Sequence, residues 1–208
     1  MEKKEINPLS AAQVDTFLEA AKGDRLEAFY LLAVSTGMRL GELQALKWAD
    51  IDLRERTLSV NRTLSAVNGG PVFTPPKTSK SRRQVPLSRR ASAALDALPP
   101  RLDTPLLFPA PEGGLLDLDN FRRREWDPAI VAANIAKPAR IYDLRSTFAS
   151  NALAAGVTVF ELAKIMASSV RMIERHYGAL LDGAGAGISG RLDALEAQLE
   201  RDAEAGES

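Results

Sequence analysis

The segment RLEAFYLLAVSTG at residues 25–37 constrains the fold more than any other, because it is apolar on almost every side. A helix with apolar side chains all round is stable in water only when other elements surround it. Gly37 ends the segment and suits the left-handed conformation that commonly follows a helix C-terminus. The sequence therefore predicts a central, buried helix that ends at Gly37.

The segments on either side of this helix predict a mixed fold. PLSAAQVDTFLEAAKG predicts a first helix over about residues 11–22, with Ser10 and Gln13 as a reciprocal cap. TLSVNRTL, GPVFT and RQVPL show β-branched alternation between turn residues, which predicts a small antiparallel sheet. The later patterns are helical, so we expect an α+β fold that is mostly α-helical, with the sheet at one edge. Further candidate N-caps are Asp119 or Asn120, Thr158 and Ser169.

The end of the chain differs in composition from the rest. DGAGAGISG at residues 182–190 predicts a flexible link, and RLDALEAQLE predicts a short helix before an acidic end. Leu192, Leu195 and Leu199 form one apolar stripe on that helix. Because so short a helix is unstable alone, the stripe docks either on this chain or on a neighbouring copy.

Composition excludes several kinds of site. The chain has no cysteine and a single histidine, His176, so disulfides, thiolate metal sites and histidine clusters are excluded. A metal site would need carboxylates alone, and we expect none. The N-terminus has no apolar stretch and no run of 18 apolar residues occurs, so we expect a cytoplasmic protein without a membrane partner.

The charge is uneven along the chain although Lys plus Arg and Asp plus Glu both number 27. No acidic residue lies between Glu55 and Asp96, while eight basic residues do. Such a stretch attracts anions, and it is either a solvated face or an anion-binding surface. The eight are Arg56, Arg62, Lys77, Lys80, Arg82, Arg83, Arg89 and Arg90.

Three separated segments carry most of the information about function. They are STGMRLGELQALKWADIDL, PPKTSKSRRQVPL, and YDLRSTFASNALAAGV followed by VRMIERHYGALL. Together they resemble the catalytic domain of the tyrosine recombinases, the phage integrase family, over roughly residues 8–181. The resemblance implies a mostly helical catalytic-domain fold with a small sheet at one edge. It also implies a site-specific DNA recombinase that cuts and rejoins strands through a 3′-phosphotyrosyl intermediate, without a cofactor.

Arg39 and Arg145 match the two arginines that hold the scissile phosphate in that family. Attack on a phosphodiester adds negative charge to the nonbridging oxygens, and forked guanidinium donors stabilise that charge. From the residues alone, pairing of Arg39 with Glu42 and of Arg145 with Asp143 are the structural alternatives.

Tyr177 matches the family nucleophile, and the alternative is a half-buried aromatic residue on an amphipathic helix. Lys77 matches the lysine that protonates the departing 5′-oxygen, and Lys80 in the same turn is the alternative for that role. We assign Lys80, Arg82 and Arg83 to DNA-backbone phosphates, contacts that position DNA without reading its sequence.

Two positions depart from the family pattern. Tyr142 stands where many relatives carry histidine, and its phenol still donates a hydrogen bond to phosphate. Ala167 stands where relatives carry histidine or tryptophan and donates nothing from its side chain; Met166 before it replaces a glycine. His176, which is next to Tyr177, is not counted as a replacement for the donor missing at Ala167. The alternative function is therefore a catalytically impaired member that binds DNA or a partner recombinase without cleaving.

The resemblance also implies an organisation and partners. We expect residues 1–181 to form the catalytic domain and residues 182–208 the link and tail, without the N-terminal core-binding domain of many relatives. The implied partners are double-stranded DNA and other recombinase protomers, as a tetramer on DNA and a monomer when free. A bacterial or phage origin, on a mobile element, follows from the same resemblance. A helical interaction protein that binds no nucleic acid is the remaining alternative.

Overall fold

The computed structural model describes residues 6–67, 70–75, 82–136 and 139–178, together with 190, 193 and 196–198. In that part of the chain the helices are α1 (Ala11–Ala20), α2 (Glu27–Thr36), α3 (Leu40–Gln44), α4 (Arg89–Asp96), α5 (Leu118–Phe121), α6 (Asp127–Ala132), α7 (Ile141–Ala154), α8 (Val159–Ile165) and α9 (Val170–Tyr177). The strands are β1 (Ile51–Asp52), β2 (Thr57–Val60), β3 (Thr63–Val67), β4 (Gly70–Thr74) and β5 (Arg83–Pro86). The predicted fold class, mostly helical with short antiparallel strands, is confirmed.

Helix α2 is the centre of the main core, as its sequence predicts. Eight of its ten residues are buried. Aromatic rings pack on it edge to face: Phe29 lies 5.3 Å from both Phe108 and Phe121, measured between ring centroids. This geometry places positive ring edges against negative ring faces. The helix ends at Gly37 in the left-handed conformation, with φ at 60°.

Several helices begin directly after a residue whose side chain caps the first turn. The Ser10 hydroxyl accepts from the Gln13 N–H at 3.2 Å, and the Gln13 side chain accepts from the Ser10 N–H at 2.9 Å, as predicted. The predicted cap at Asp119 or Asn120 is wrong. Asp117 caps α5 instead, because its carboxylate accepts from the Asn120 N–H at 2.7 Å. The predicted caps Thr158 and Ser169 are confirmed at α8 and α9.

The strands form two small sheets where the sequence predicts one. Strands β1, β2 and β5 form an antiparallel sheet, and β3 pairs with β4 as a separate hairpin. The division follows from the anchoring of the chain after β2: the Asp50 carboxylate accepts from Asn61 at 3.0 Å and is ion-paired with Arg62. Strand β3 instead lies against α3, where Gly41 comes so close that a Cβ atom would lie 2.4 Å from the Leu64 carbonyl oxygen.

A second, smaller core joins α7, α8 and α9. Its buried residues include Leu162, Met166, Ile173 and Tyr177. The N-terminal segment closes over it: Ile6 packs against this core, and the Leu9 N–H donates to the Thr147 hydroxyl at 2.8 Å. Helix α7 also packs on α2 and contributes Leu144 to the main core, so it connects the two cores.

Among the described residues, no helix is long and apolar enough to span a membrane. Residues 182–189 and the three leucines of the predicted tail stripe, Leu192, Leu195 and Leu199, lie outside the described residues. The predicted division of the chain after residue 181 stays a prediction.

Candidate active site

The turn between α2 and α3 places Arg39 at the edge of a polar pocket. The left-handed Gly37 makes this turn, and a Cβ atom there would lie 2.3 Å from the Phe148 ring. The Arg39 N–H donates to Glu42 Oε2 at 2.9 Å, and its Nη1 donates to Glu42 Oε1 at 3.1 Å. The Arg39 side chain is still 46% exposed. Pairing with Glu42 therefore leaves Arg39 accessible from solvent.

Helix α7 brings Arg145 beneath the same turn. Arg145 is 6% exposed; it donates from Nη1 to the Gly37 carbonyl and from Nη2 to the Met166 carbonyl, the latter at 2.8 Å. Burial lowers the pKa of Arg145, and the charge of Arg39 lowers it further. Asp143, the alternative partner considered from the sequence, pairs with Arg140 at 2.8 Å instead.

Arg83 on β5 lies on the inner side of Glu42. Its side chain is 5% exposed and forms a forked pair, with Nη2 2.9 Å from Oε2 and Nη1 3.2 Å from Oε1. Burial on its own raises the pKa of Glu42, but the hydrogen bond and charge of Arg83, followed by those of Arg39, bring it below its usual value. Glu42 is thus a carboxylate shared by two guanidinium groups.

The C-terminal end of α8 offers three consecutive carbonyl groups to three arginines. The C-terminal carbonyls of a helix carry partial negative charge, so this end attracts cations. These contacts gather the three guanidinium groups on one side of the pocket. The pairs are Ile165 with Arg83, Met166 with Arg145, and Ala167 with Arg39 at 2.6 Å.

Ala167 adopts a left-handed conformation, with φ at 46°. Its N–H donates to the Lys164 carbonyl at 3.2 Å, and the Ser168 N–H donates to the Ala163 carbonyl at 2.9 Å. This is the hydrogen-bond pattern of a Schellman motif, whose left-handed position usually holds glycine. Ala167 therefore contributes a backbone carbonyl to the pocket, and its side chain contributes no donor.

Two tyrosines border the arginine cluster. Tyr142, on the first turn of α7, is 57% exposed and lines a cavity of about 160 Å³ together with Arg145. Tyr177, the last residue of α9, is 5% exposed. Burial raises the pKa of Tyr177, while a hydrogen bond with Ser146 and the charge of Arg145 act in the opposite direction. The Tyr177 phenol is therefore protonated at neutral pH and within the electrostatic influence of Arg145.

Residues 7–183 match the phage integrase family. The chain belongs to that family. Its members are site-specific tyrosine recombinases, so the predicted family and reaction class are confirmed at that level.

Relatives and solved structures of this integrase family agree with the assignment. The chain is 40% identical over 92 residues to a "Tyrosine recombinase XerC-like" protein of Caldanaerobacter subterraneus subsp. tengcongensis, covering 40% of this chain and 24% of that protein. Among solved structures, it resembles the Tn1549 transposon integrase in complex with circular intermediate DNA (TM-score 0.75, 22% identity, 85% of this chain and 64% of that one). It also resembles the catalytic domain of bacteriophage HP1 integrase (TM-score 0.58, 20% identity, 92% and 98%). The chain thus spans about a quarter of the first relative.

The site residues predicted for this integrase-family chain fall into two groups. In the first group, Arg39, Tyr142 and Tyr177 all lie close enough to Arg145 for charge interactions with it. The family assignments of these residues stay predictions. The second group was assigned to DNA-backbone phosphates, and this assignment stays a prediction. Arg82 is exposed and lines a cleft of about 1020 Å³ together with Arg83 and residues of α8. Lys77 and Lys80 lie outside the described residues.

Glu42 takes a central place in the pocket of this integrase-family chain, which its sequence did not predict. Its spacing of three residues after Arg39 predicts an ion pair, but as an alternative to phosphate binding by Arg39. In the structure Arg39 pairs with Glu42 and remains exposed. His176, beside Tyr177 with ring centroids 6.4 Å apart, is exposed on α9.

Replacing Arg145 with methionine is expected to lower the free energy of unfolding by about 2–6 kcal/mol. The buried carbonyls of Gly37 and Met166 would each lose a charged donor, at about 1–3 kcal/mol each. Urea denaturation followed by circular dichroism measures the change. Arg90→Met is the control, because the ion pair of Arg90 with Asp15 is exposed and worth at most about 1 kcal/mol. Equal losses in the two variants would contradict the structural role of Arg145.

Proposed function

We propose that the chain is the catalytic domain of an integrase-type DNA recombinase that cuts and rejoins strands through a 3′-phosphotyrosyl intermediate. The observation that carries the proposal is the meeting of Arg39 and Arg145 at the end of α8, next to the core that holds Tyr177. These residues come from three separate segments of the sequence. The segments match the family motifs in order, so fold and motif support the same function.

The arginine cluster is suited to hold a phosphodiester. A guanidinium has five N–H donors. Within the described part of the chain, the Arg39 side chain donates to Glu42 and Ala167, which leaves further N–H groups for phosphate oxygens. The exposed Tyr142 hydroxyl supplies another donor at the same opening. Donors that are already fixed in place stabilise the negative charge that develops during attack without having to reorganise.

Tyr177 is the proposed nucleophile. Its phenol oxygen forms a bond to phosphorus while the bond between phosphorus and the 5′-oxygen breaks. Burial keeps the Tyr177 phenol protonated at neutral pH, so its proton passes to a water molecule as the bond to phosphorus forms. We assign the proton taken up by the 5′-oxygen to Lys77. One phosphoester bond replaces another, so the 5′-hydroxyl can reverse the reaction without ATP.

Double-stranded DNA is the proposed partner. Lys80 and Arg82 supply phosphate contacts, so affinity depends strongly on salt concentration. The Tn1549 integrase, whose fold this chain shares, is described in complex with circular intermediate DNA. We further propose that the free chain is a monomer in the bacterial cytoplasm and that four protomers assemble on paired DNA sites.

A nicked suicide substrate tests this function. After cleavage the short 5′-terminated strand diffuses away, so the covalent protein–DNA adduct accumulates and survives denaturant. The substrate carries the presumed attachment sequence, or a pool of genomic fragments. We expect a denaturant-resistant band, and peptide mapping is expected to place the DNA on Tyr177. Absence of the band for both the natural chain and Ala167→His, with DNA still bound, would contradict the proposal.

A further inference from the structure

Arg83 lies deeper in the pocket than Arg39, with a side chain 5% exposed against 46%. Its contacts with Glu42 and with the end of α8 both lead to Arg39. Its two Nη atoms hold Glu42, which pairs with Arg39 at 3.1 Å. Its Nε donates to the Ile165 carbonyl, two residues before the Ala167 carbonyl that accepts from Arg39. Arg83 therefore binds both groups that contact the Arg39 side chain, the Glu42 carboxylate and the last turn of α8.

We propose that Arg83 is a positioning residue for Arg39 and does not contact the phosphate itself. It fixes the Glu42 carboxylate and the last turn of α8, and thereby sets where Arg39 presents its donors. The inference rests on the proposed function, in which Arg39 holds the scissile phosphate. It assigns to Arg83 a part in the cleavage step, where the sequence assigned it a place among the DNA-backbone contacts.

Charge supports the same assignment. Glu42 shares its single negative charge between Arg39 and Arg83. Without Arg83 the carboxylate would be balanced by Arg39 alone, and Arg39 would be drawn into a neutral pair. With Arg83 present, two guanidinium groups and one carboxylate leave a net positive charge at the exposed edge, where Arg39 lies. Arg83 therefore both orients Arg39 and keeps its charge available to an anion.

Three variants of the full chain separate positioning from other roles. Arg83→Met removes the proposed positioning residue. Arg82→Gln removes the exposed neighbour, for which a direct phosphate contact is proposed. Arg62→Met is the structural control, because Arg62 also pairs with a buried carboxylate, that of Asp50, in an ion pair separate from the pocket. Circular dichroism establishes that each variant is folded, and Arg83→Lys replaces Arg83→Met if the latter is not.

The measurements are the single-turnover cleavage rate at saturating protein and the DNA affinity at several salt concentrations. For Arg83→Met we expect cleavage to fall on the order of 100-fold, because displaced catalytic groups cost about that much. We expect the slope of its log affinity against log salt concentration to match that of the natural chain, whereas Arg82→Gln lowers the steepness of this slope by about one. Arg62→Met is expected to cleave normally. Equal cleavage by Arg83→Met and Arg62→Met, or a slope for Arg83→Met reduced like that of Arg82→Gln, would overturn the inference.

A readout that needs no cleavage keeps this inference separate from the proposed function. The ¹⁵N heteronuclear NOE of the Arg39 Nε–H group reports how rigidly its side chain is held, and loss of the signal in Arg39→Lys assigns it. We expect a high value in the natural chain and in Arg62→Met, and a lower value in Arg83→Met. An unchanged value in Arg83→Met would overturn the positioning role. A lowered value in a chain that forms no adduct would support the positioning role while the proposed function fails.

Discussion

Tyr177→Phe is expected to lower the amount of covalent protein–DNA adduct by a factor of at least about a thousand, because the substitution removes the nucleophilic oxygen. The ring itself remains and keeps its packing in the core of α7, α8 and α9. DNA affinity is therefore expected to stay within about twofold, since phosphate contacts by other residues determine it. The two quantities are measured on one suicide substrate, by denaturing gel and by fluorescence anisotropy.

Tyr142→Phe is the matched control for this experiment. It removes the same hydroxyl from an exposed tyrosine that we assign as a donor and not as the nucleophile. Loss of one such donor slows cleavage by about 100-fold to 1000-fold without preventing the adduct. An adduct formed by Tyr177→Phe would show that another nucleophile acts. Absence of the adduct in Tyr142→Phe alone would reverse the two assignments.

The parts of the fold with local causes could be predicted from the sequence. The central helix followed from its apolar character on all sides, and its end followed from Gly37. The division into two sheets could not be predicted, because β2 pairs with β5 across the whole β3–β4 hairpin. That pairing depends on where Asp50 anchors the chain after β2, which no local pattern shows.

The site shows the same limit. Arg82 and Arg83 look alike in a basic run, yet Arg82 is exposed whereas the Arg83 side chain is only 5% exposed. Successive side chains of a strand point to opposite faces, so alternation is expected, but the sequence does not say which face meets Glu42. The carbonyls at the end of α8 leave no trace in the sequence, because every residue has one. Motif matching therefore found Arg39 and Arg145, but not what holds them.

Ala167→His is expected to raise the cleavage rate by about 100-fold to 1000-fold, the usual effect of one donor to a developing oxyanion. The resemblance implies that the family's histidine or tryptophan stands at this position. The backbone there is left-handed, with φ at 46°, and histidine is among the residues that adopt this conformation more often than most. The Ala167 carbonyl already contacts Arg39 at 2.6 Å, so an imidazole on the same residue would lie beside the phosphate donors.

Ala167→Gly separates the effect of the donor from that of the backbone. Glycine removes the left-handed penalty of about 1–2 kcal/mol and costs about 0.4–1 kcal/mol in chain entropy. We therefore expect its free energy of unfolding to rise by about 0.5–1 kcal/mol, with an unchanged cleavage rate. Urea denaturation and single-turnover cleavage on the suicide substrate measure the two effects. An equal gain in rate for both variants would show that strain in the last turn of α8 limits cleavage. No gain for Ala167→His would show that Arg39, Arg145 and Tyr142 already supply every donor the reaction uses.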